Sequence, residues 1–545
     1  MSIKDTVVSV AGKVVGVFTG LSQAENQRSK APKVITPGMP ELLRSVAAQG
    51  AVLLKNDGTL PFKKDGRVSL FGRVQKDWFF TGYGSGGDVN KPYAVDLIEG
   101  IKKCETLELN EKLAEIYSEW CEENPINHGI WGQWPRFYPE MPLYEKTAKK
   151  AAEKSDYAVV VIGRSSGEDR ENVLEKGSYY ITDAELELMD KVTAVFEKTV
   201  VILNIGCIMD LSWMEKYGDK ISAAMIVWQG GMESGNAVAD LLSGKVSPSG
   251  KLSATIAKNY DSFPCAKDFG GKDFNNYTED IYVGYRYFET FNKDNVQYPF
   301  GFGLTYSEFK TDFVSLDKTD YGFILKCKVT NIGSVPSRYA PQVYVEKPCG
   351  VLGNPYRELV AFNKTVVLSA GESQELTMNI AMYDLASYDD SGKTGFMSAY
   401  VIEKGEYGFA LGDNVRDAVK VASWNCEENT LFRQHRQTAA PRADFDIIKA
   451  VKDGEGYKAV AEKAFKKQYD LKKIILEGLP KDIPMTGDKG YKLIDVKNGK
   501  VSMEDFVAQL SLKELEAISR GDYKMNSPLG ALGNAGAFGG VLPSL

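Results

Sequence analysis

Residues 157–180 read YAVVVIGRSSGEDRENVLEKGSYY, an apolar run that passes directly into a charged, glycine-containing loop. Tyr157 to Ile162 has the length and β-branched content of a buried strand, and Gly163 is its expected stop. No apolar side chain occurs from Arg164 to Arg170. A helix is expected to begin after Thr182, whose hydroxyl can cap the first turn while Glu185 completes a Thr-x-x-Glu capping box. In open α/β sheets ligands collect beyond the carboxyl ends of the strands, and this loop lies at such an end. Glu168 is therefore the first candidate for chemistry, although taken alone a solvated loop carboxylate is the plainer reading of it.

Working outward, helical and strand-like patterns alternate from Met141 onward. The helix expected over Asp183 to Lys198 places Leu186, Met189, Val192 and Phe196 on one side. Strands are expected over Val200 to Ile205 and Ala223 to Trp228, followed by a helix from Glu233 to Ser243 that Gly244 can close in the left-handed conformation. This alternation predicts a largely parallel sheet covered by helices. Upstream, Gly38 to Pro61 joins a helical pattern to a strand-like AVLLKN, and Arg67 to Gly72 reads as another short strand. Gly82 to Gly87 formally satisfies G-x-G-x-x-G, but a dinucleotide fingerprint sits immediately between strand and helix, and here a further stretch intervenes. The better functional reading is a loop whose backbone lies close to a ligand. Trp131, Trp134, Phe137 and Tyr138 form an aromatic cluster that suits either a domain interface or a sugar-stacking surface.

Beyond about Phe309 short strands take over: Phe323 to Val329, Pro341 to Glu346, Glu358 to Val367, Glu375 to Ile380 and Tyr407 to Leu411. Their spacing predicts a β-sandwich. Charged helical patterns are expected across residues 426–545, with Ser511 and Glu514 in a further capping box.

At 545 residues the chain exceeds one ordinary core. A net charge of −7 and the lack of a dense basic stripe argue against nucleic acid as a partner. No run is apolar and long enough to span a bilayer. Residues 1–41 are expected to form an amphipathic leader helix; Lys13 interrupts the apolar stretch that a signal peptide would need. Seven cysteines lie far apart with no Cys-x-x-Cys pair, which reads as free thiols and a cytoplasmic location. His128 and His435 are the only histidines, so a His-based zinc site or a Ser-His-Asp triad is not expected. No metal and no cofactor are expected.

Several longer stretches carry a resemblance. GAVLLKNDGTLPF (50–62), GYGSGGDVN (82–90), GRSSGEDRENVLEKGSYYIT (163–182), WQGGMESGNAVADLLSGKVSPSGKLSATI (228–256), YVGYRYFE (282–289) and YPFGFGLTYSEF (298–309) resemble the α/β sandwich domain of glycoside hydrolase family 3. VTNIGSVPSRYAPQVYVEKP and RELVAFNKTVVLSAGESQELTM are similar to the fibronectin type III-like domain that follows it. The resemblance implies a three-layer α/β sandwich over 42–308, a fibronectin type III-like β-sandwich over 309–425, and a mainly helical segment over 426–545. That last segment, which includes GYKLIDVKNGKVSMEDFVAQLSLKELEAISRGD, looks like the lead-in to a (β/α)8 barrel in the permuted β-glucosidase subgroup. The barrel itself, with its Asp-Gly-Pro, Lys-His and Ser-Asp-Trp motifs, is not in this sequence.

In that family the barrel supplies the nucleophilic Asp and the sandwich domain the acid/base. The resemblance implies that Glu168 is the acid/base of a retaining β-glycosidase acting on a β-linked saccharide. Glu171 is the second choice, because the family often separates its Glu from the Asp-Arg pair that here abuts it. Tyr83, Ser85, Asp88, Arg164 and Arg170 are expected to line the substrate site. Ser155-Asp156-Tyr157 superficially resembles the nucleophile motif, but Asp156 opens the strand leading to Glu168 and falls at its wrong end. Glu233, at a helix start, suits dipole complementation better than acid catalysis. The expected partners are a barrel on a continued or separate chain and, possible in addition, a second copy in a homo-oligomer. A non-catalytic carbohydrate-binding or scaffold protein is the alternative.

Overall fold

The computed structural model describes residues 35–83, 91–129, 133–168, 172–437, 439–467 and 470–520. Most of the expected leader helix, together with Ser85, Asp88, Trp131, Arg170 and Glu171, lies outside these residues.

The first domain is built on a six-stranded sheet. Helix α1 (Met39–Gly50) leads into β1 (Val52–Asn56), β2 (Gly66–Phe71), α2 (Leu97–Lys102), β3 (Leu107–Leu109) and α3 (Glu111–Glu123). Then follow α4 (Glu145–Ala152), β4 (Tyr157–Arg164), α5 (Asp183–Thr193), β5 (Thr199–Ile205), β6 (Ile221–Ile226) and α6 (Ser234–Leu242). The strand order is β1-β6-β5-β4-β2-β3, with only β1 antiparallel to its neighbour. Because side chains alternate across a strand, β4 faces two ways. Ala158, Val160 and Ile162 join Leu113 and Tyr117 of α3, Ala148 of α4 and Leu188 and Met189 of α5 in one core. Val159 and Val161 join Ala48 of α1, Leu97 and Ile101 of α2 and Val238 and Leu241 of α6 in the other. This is the expected three-layer sandwich.

Gly163 does not end β4. The strand continues through Arg164, paired to Gly163↔Asn204 and Arg164↔Ile205 on β5. A Cβ at Gly163 would lie 2.8 Å from the side chains of both Val74 and Phe79, so this glycine admits the neighbouring chain rather than breaking the strand. The Thr182 capping box forms as expected: Thr182 Oγ1 accepts from the Glu185 amide at 3.1 Å, and Glu185 Oε2 accepts from the Thr182 amide at 2.8 Å. Gly244 closes α6 with a φ of 77°.

A short β7 (Ile256–Ala257), α7 (Tyr285–Phe291) and β8 (Val296–Tyr298) lead to the β-sandwich. Its strands are β9 (Phe309–Thr319), β10 (Gly322–Asn331), β11 (Gln342–Glu346), β12 (Glu358–Phe362), β13 (Ser373–Ala381), β14 (Ser387–Asp389), β15 (Ala399–Ile402), β16 (Gly405–Gly412), β17 (Val419–Cys426) and β18 (Thr430–Gln434). Sheets of order β13-β10-β9 and β12-β11-β16-β17 face one another. Between them pack Phe323, Leu325, Cys327 and Val329 from β10, Val343 and Val345 from β11, and Tyr407, Phe409 and Leu411 from β16. Helix α7 ties the two domains together: Tyr285 Oη accepts from the Leu359 amide at 3.0 Å, and Arg286 pairs with Glu358 at 2.8 Å.

The segment after residue 425 differs from expectation in its first part. Besides β18 it forms a hairpin, β19 (Asp446–Asp453) with β20 (Gly456–Lys463), and helices begin only at Leu471. Eight cross-strand pairs close on a turn with Gly454 at a φ of 60°, and tertiary bonds then dock the hairpin. Fully buried Tyr282 donates its hydroxyl hydrogen to the Gly353 carbonyl and accepts from the Ala450 amide at 2.7 Å, and the Ile448 amide donates to the Thr278 carbonyl at 2.8 Å. The charged hairpin is thereby held against the domain junction. Beyond it, among the described residues, lie four short helices: α8 (Leu471–Glu477), α9 (Leu493–Lys497), α10 (Met503–Ala508) and α11 (Leu512–Arg520). Ser511 and Glu514 make the reciprocal cap contacts of the last, at 2.8 and 3.3 Å. No helix among the described residues is long and apolar enough to cross a membrane.

Candidate active site

The carboxyl ends of β2, β4, β5 and β6 converge on the loop that carries Glu168. β4 ends at Arg164, and the loop bends under close control. Ser165 donates its amide to the Arg136 carbonyl at 2.8 Å and its hydroxyl to the Pro135 carbonyl at 2.6 Å. The chain leaving β2 then pairs with it in parallel: the Tyr83 amide donates to the Ser166 carbonyl at 2.7 Å, and the Glu168 amide donates to the Tyr83 carbonyl at 3.2 Å. A Cβ at Gly167 would lie 2.6 Å from the Tyr83 carbonyl oxygen, so only glycine lets the two strands approach this closely. The Glu168 side chain is solvent-exposed at this edge.

Tyr83 is itself anchored. Its ring stacks on Trp134 with centroids 5.8 Å apart, and its hydroxyl bonds the Tyr138 hydroxyl at 2.6 Å. Burial pushes the Tyr83 phenol above its ordinary value, against the opposing effect of the Tyr138 bond, so the group stays neutral. The aromatic stretch thus props Tyr83 through Trp134 and Tyr138. Tyr138 stacks on Phe79 at 4.4 Å, and the Arg164 guanidinium lies 5.9 Å from the Phe137 ring centroid.

Arg164 corrects an expectation. It is 1% exposed, and its guanidinium pairs with both carboxylate oxygens of Glu185 at 2.7 and 2.8 Å. It also donates to the Gly163, Ser178 and Tyr180 carbonyls. The charge is consumed inside the domain, where it ties the start of the loop to its return point at the α5 cap; it is no substrate contact. Asp156 sits at the opposite edge of the sheet from Glu168, accepting from the Arg67 amide at 2.9 Å. Glu233 is buried, bonded by the Tyr93 hydroxyl and by Asn236 at 2.7 Å.

Several residues at this edge carry no distinctive local pattern. Asn204, near the end of β5, accepts from the Phe79 amide at 2.9 Å and donates to the Phe79 carbonyl at 3.1 Å and to the Trp228 carbonyl. Gln229, after β6, accepts from the Ser166 hydroxyl at 3.1 Å and donates to the Arg164 carbonyl at 3.3 Å. Cys207 donates to Asn172 Oδ1 at 3.2 Å, and burial raises its thiol pKa against the effect of that bond, so it is a poor thiolate. A buried asparagine within VVILNI was the one available signal, because a polar side chain inside a covered strand needs partners.

Residues 51–306 match the glycosyl hydrolase family 3 C-terminal domain, and residues 339–415 the fibronectin type III-like domain. The chain belongs to glycoside hydrolase family 3. A beta-glucosidase from Ruminococcus albus is 40% identical, over 93% of this chain and 52% of that protein. Beta-glucosidase A of Butyrivibrio fibrisolvens is 34% identical, over 93% of this chain and 66% of that one. The crystal structure of a beta-glucosidase from Paenibacillus barengoltzii superposes with a TM-score of 0.85 at 41% identity, covering 91% of this chain and 55% of that one. That of beta-glucosidase 3B from Thermotoga neapolitana in complex with glucose gives 0.65 at 33% identity, covering 72% and 54%. This family 3 chain therefore spans between half and two thirds of the length of these two relatives.

Proposed function

We propose that this chain is the acid/base-bearing portion of a retaining β-glycosidase that removes terminal β-D-glucosyl residues. A (β/α)8 barrel, on a continuation of the chain or on another, supplies the nucleophile. The observation that carries this reading is the placement of Glu168: a carboxyl group at the carboxyl edge of the sheet, on a loop whose backbone is pinned by Tyr83. The beta-glucosidase names of the relatives support the same substrate class.

Retaining hydrolysis needs two carboxyl groups about 5–5.5 Å apart, one attacking the anomeric carbon and the other protonating the leaving oxygen. Glu168 protonates the leaving oxygen in the first step and takes a proton from the incoming water in the second. A proton donor working near neutral pH needs a raised pKa, and in this reading the barrel that covers the exposed Glu168 supplies the burial. Tyr83 stands at the entrance from the sandwich side, and the assignment of Ser85, Asp88 and Arg170 to the substrate site is part of the same proposal, made from the sequence. All seven cysteines are unpaired, which supports a reducing, cytoplasmic setting.

The test is hydrolysis of an aryl β-glucoside by the purified chain alone and mixed with a matching barrel. Activity only in the mixture is expected. In that mixture Glu168→Gln should lower cleavage of poor leaving groups by roughly 10²- to 10⁴-fold while largely sparing activated ones. Saccharide binding without turnover in the mixture would favour a non-catalytic binding protein, and equal loss on both substrates would remove Glu168 as the acid.

A further inference from the structure

Gln229 reaches across the sheet. It follows β6, whereas the two groups it bonds belong to β4 and its loop, and β5 lies between those strands. The crossing is possible because the residue that follows β5 on this side is Gly206. A Cβ there would lie 2.1 Å from Ser166 Oγ and 2.7 Å from Gln229 Oε1. The preceding residue aims the carboxamide. Trp228 turns the chain with a φ of 53°, a left-handed conformation costly for a bulky side chain, and two bonds hold it there. Its indole nitrogen donates to the Gly50 carbonyl at 2.9 Å, and its own carbonyl accepts from Asn204.

The carboxamide uses both its ends on the two residues that frame Ser165. Its oxygen accepts the hydrogen bond of the Ser166 hydroxyl, and its nitrogen donates to the Arg164 carbonyl. Ser166 is also the residue whose carbonyl accepts from Tyr83, so the backbone two residues before Glu168 is gripped from the β6 side and the β2 side together. A hinge clamped at both sides has little freedom to swing the carboxyl group it carries.

Resting on the reading of Glu168 as proton donor, we propose that Gln229 is a positioning residue for that group: through Ser166 and the Arg164 carbonyl it sets where the Glu168 carboxyl stands relative to the leaving oxygen. A misplacement of about 1 Å costs roughly 10²-fold in a positioned reaction, and the loss falls on the step the displaced group serves. Gln229 touches no reacting atom in this account.

The experiment is a comparison of kcat/KM for an alkyl β-glucoside and for 2,4-dinitrophenyl β-glucoside, using the full chain assembled with its barrel. Gln229→Ala should slow the alkyl substrate by roughly 10- to 100-fold and the dinitrophenyl substrate by less than about 3-fold. Ser166→Ala, which removes one of the two bonds and leaves the fold of the β6 turn untouched, should shift the ratio in the same direction. In a Glu168→Gln background Gln229→Ala should cost nothing further on the alkyl substrate. Equal slowing of both substrates, or an undiminished loss in the Glu168→Gln background, overturns the proposal and leaves Gln229 a packing residue. Absence of leaving-group selectivity in Glu168→Gln itself is a different result: it removes the reading of Glu168, and the role of Gln229 with it.

Discussion

At Arg164 and Glu185 a full ion pair is buried, with every donor of the planar guanidinium turned to a carboxylate or a backbone carbonyl. Breaking such a pair by removing one partner strands the other charge in a dry interior, which costs about 3–5 kcal/mol. Arg164→Met is therefore expected to lower unfolding free energy in urea by about that amount, and the double replacement Arg164→Met with Glu185→Leu to recover part of it. The same residue shows the limit of residue-level reading. A sequence in which arginine opens a charged loop suggests a ligand contact, but Arg164 is still the last residue of β4, and its direction is set by the strand's alternation. Glu168 was legible because its loop follows an unmistakable strand; the bonds that hold it were not.

Elements divide by how local their causes are. β4, β5, the α5 capping box and the glycine that closes α6 follow from periodicity and from caps a few residues long, and all were readable. The hairpin of β19 and β20 was not: VKDGEGYKAVAEK is charged and has good helix formers, yet a ladder of eight cross-strand pairs holds it extended around the Gly454 turn, and Tyr282, 168 positions before Ala450, docks it by accepting from the Ala450 amide. Tyr282→Phe should leave that amide and the Gly353 carbonyl unsatisfied, at about 1–3 kcal/mol. Faster hydrogen exchange at Ile448 to Ala450, with the six-stranded sheet unaffected, is the expected signature.

At the scale of the molecule, the junction between the two large domains contains an amine in an adverse place. Lys364 donates to the Gln49 carbonyl at 3.0 Å and the Ser249 hydroxyl at 3.1 Å. Burial, with Arg338 and Lys251 nearby, pushes its pKa down to about 8 from 10.5. Between those values the unfolded chain holds a proton that the folded chain has shed, so stability rises with pH through that window; below it both states are charged and the contribution is constant. The thermal midpoint of the wild type relative to Lys364→Gln should thus increase from pH 7 to pH 10, by the equivalent of about 1 kcal/mol. The alternation of strands and helices, the two-domain order and the candidate carboxyl group were determined by the sequence itself, because hydrophobic period, caps and turns act over a few residues. The assembly of the site was decided only in three dimensions. Tyr83, Glu168, Gly206 and Gln229 come from the segments that follow four strands, and what brings them together is the order β6-β5-β4-β2, a matter of which strands pair rather than of what any short stretch prefers.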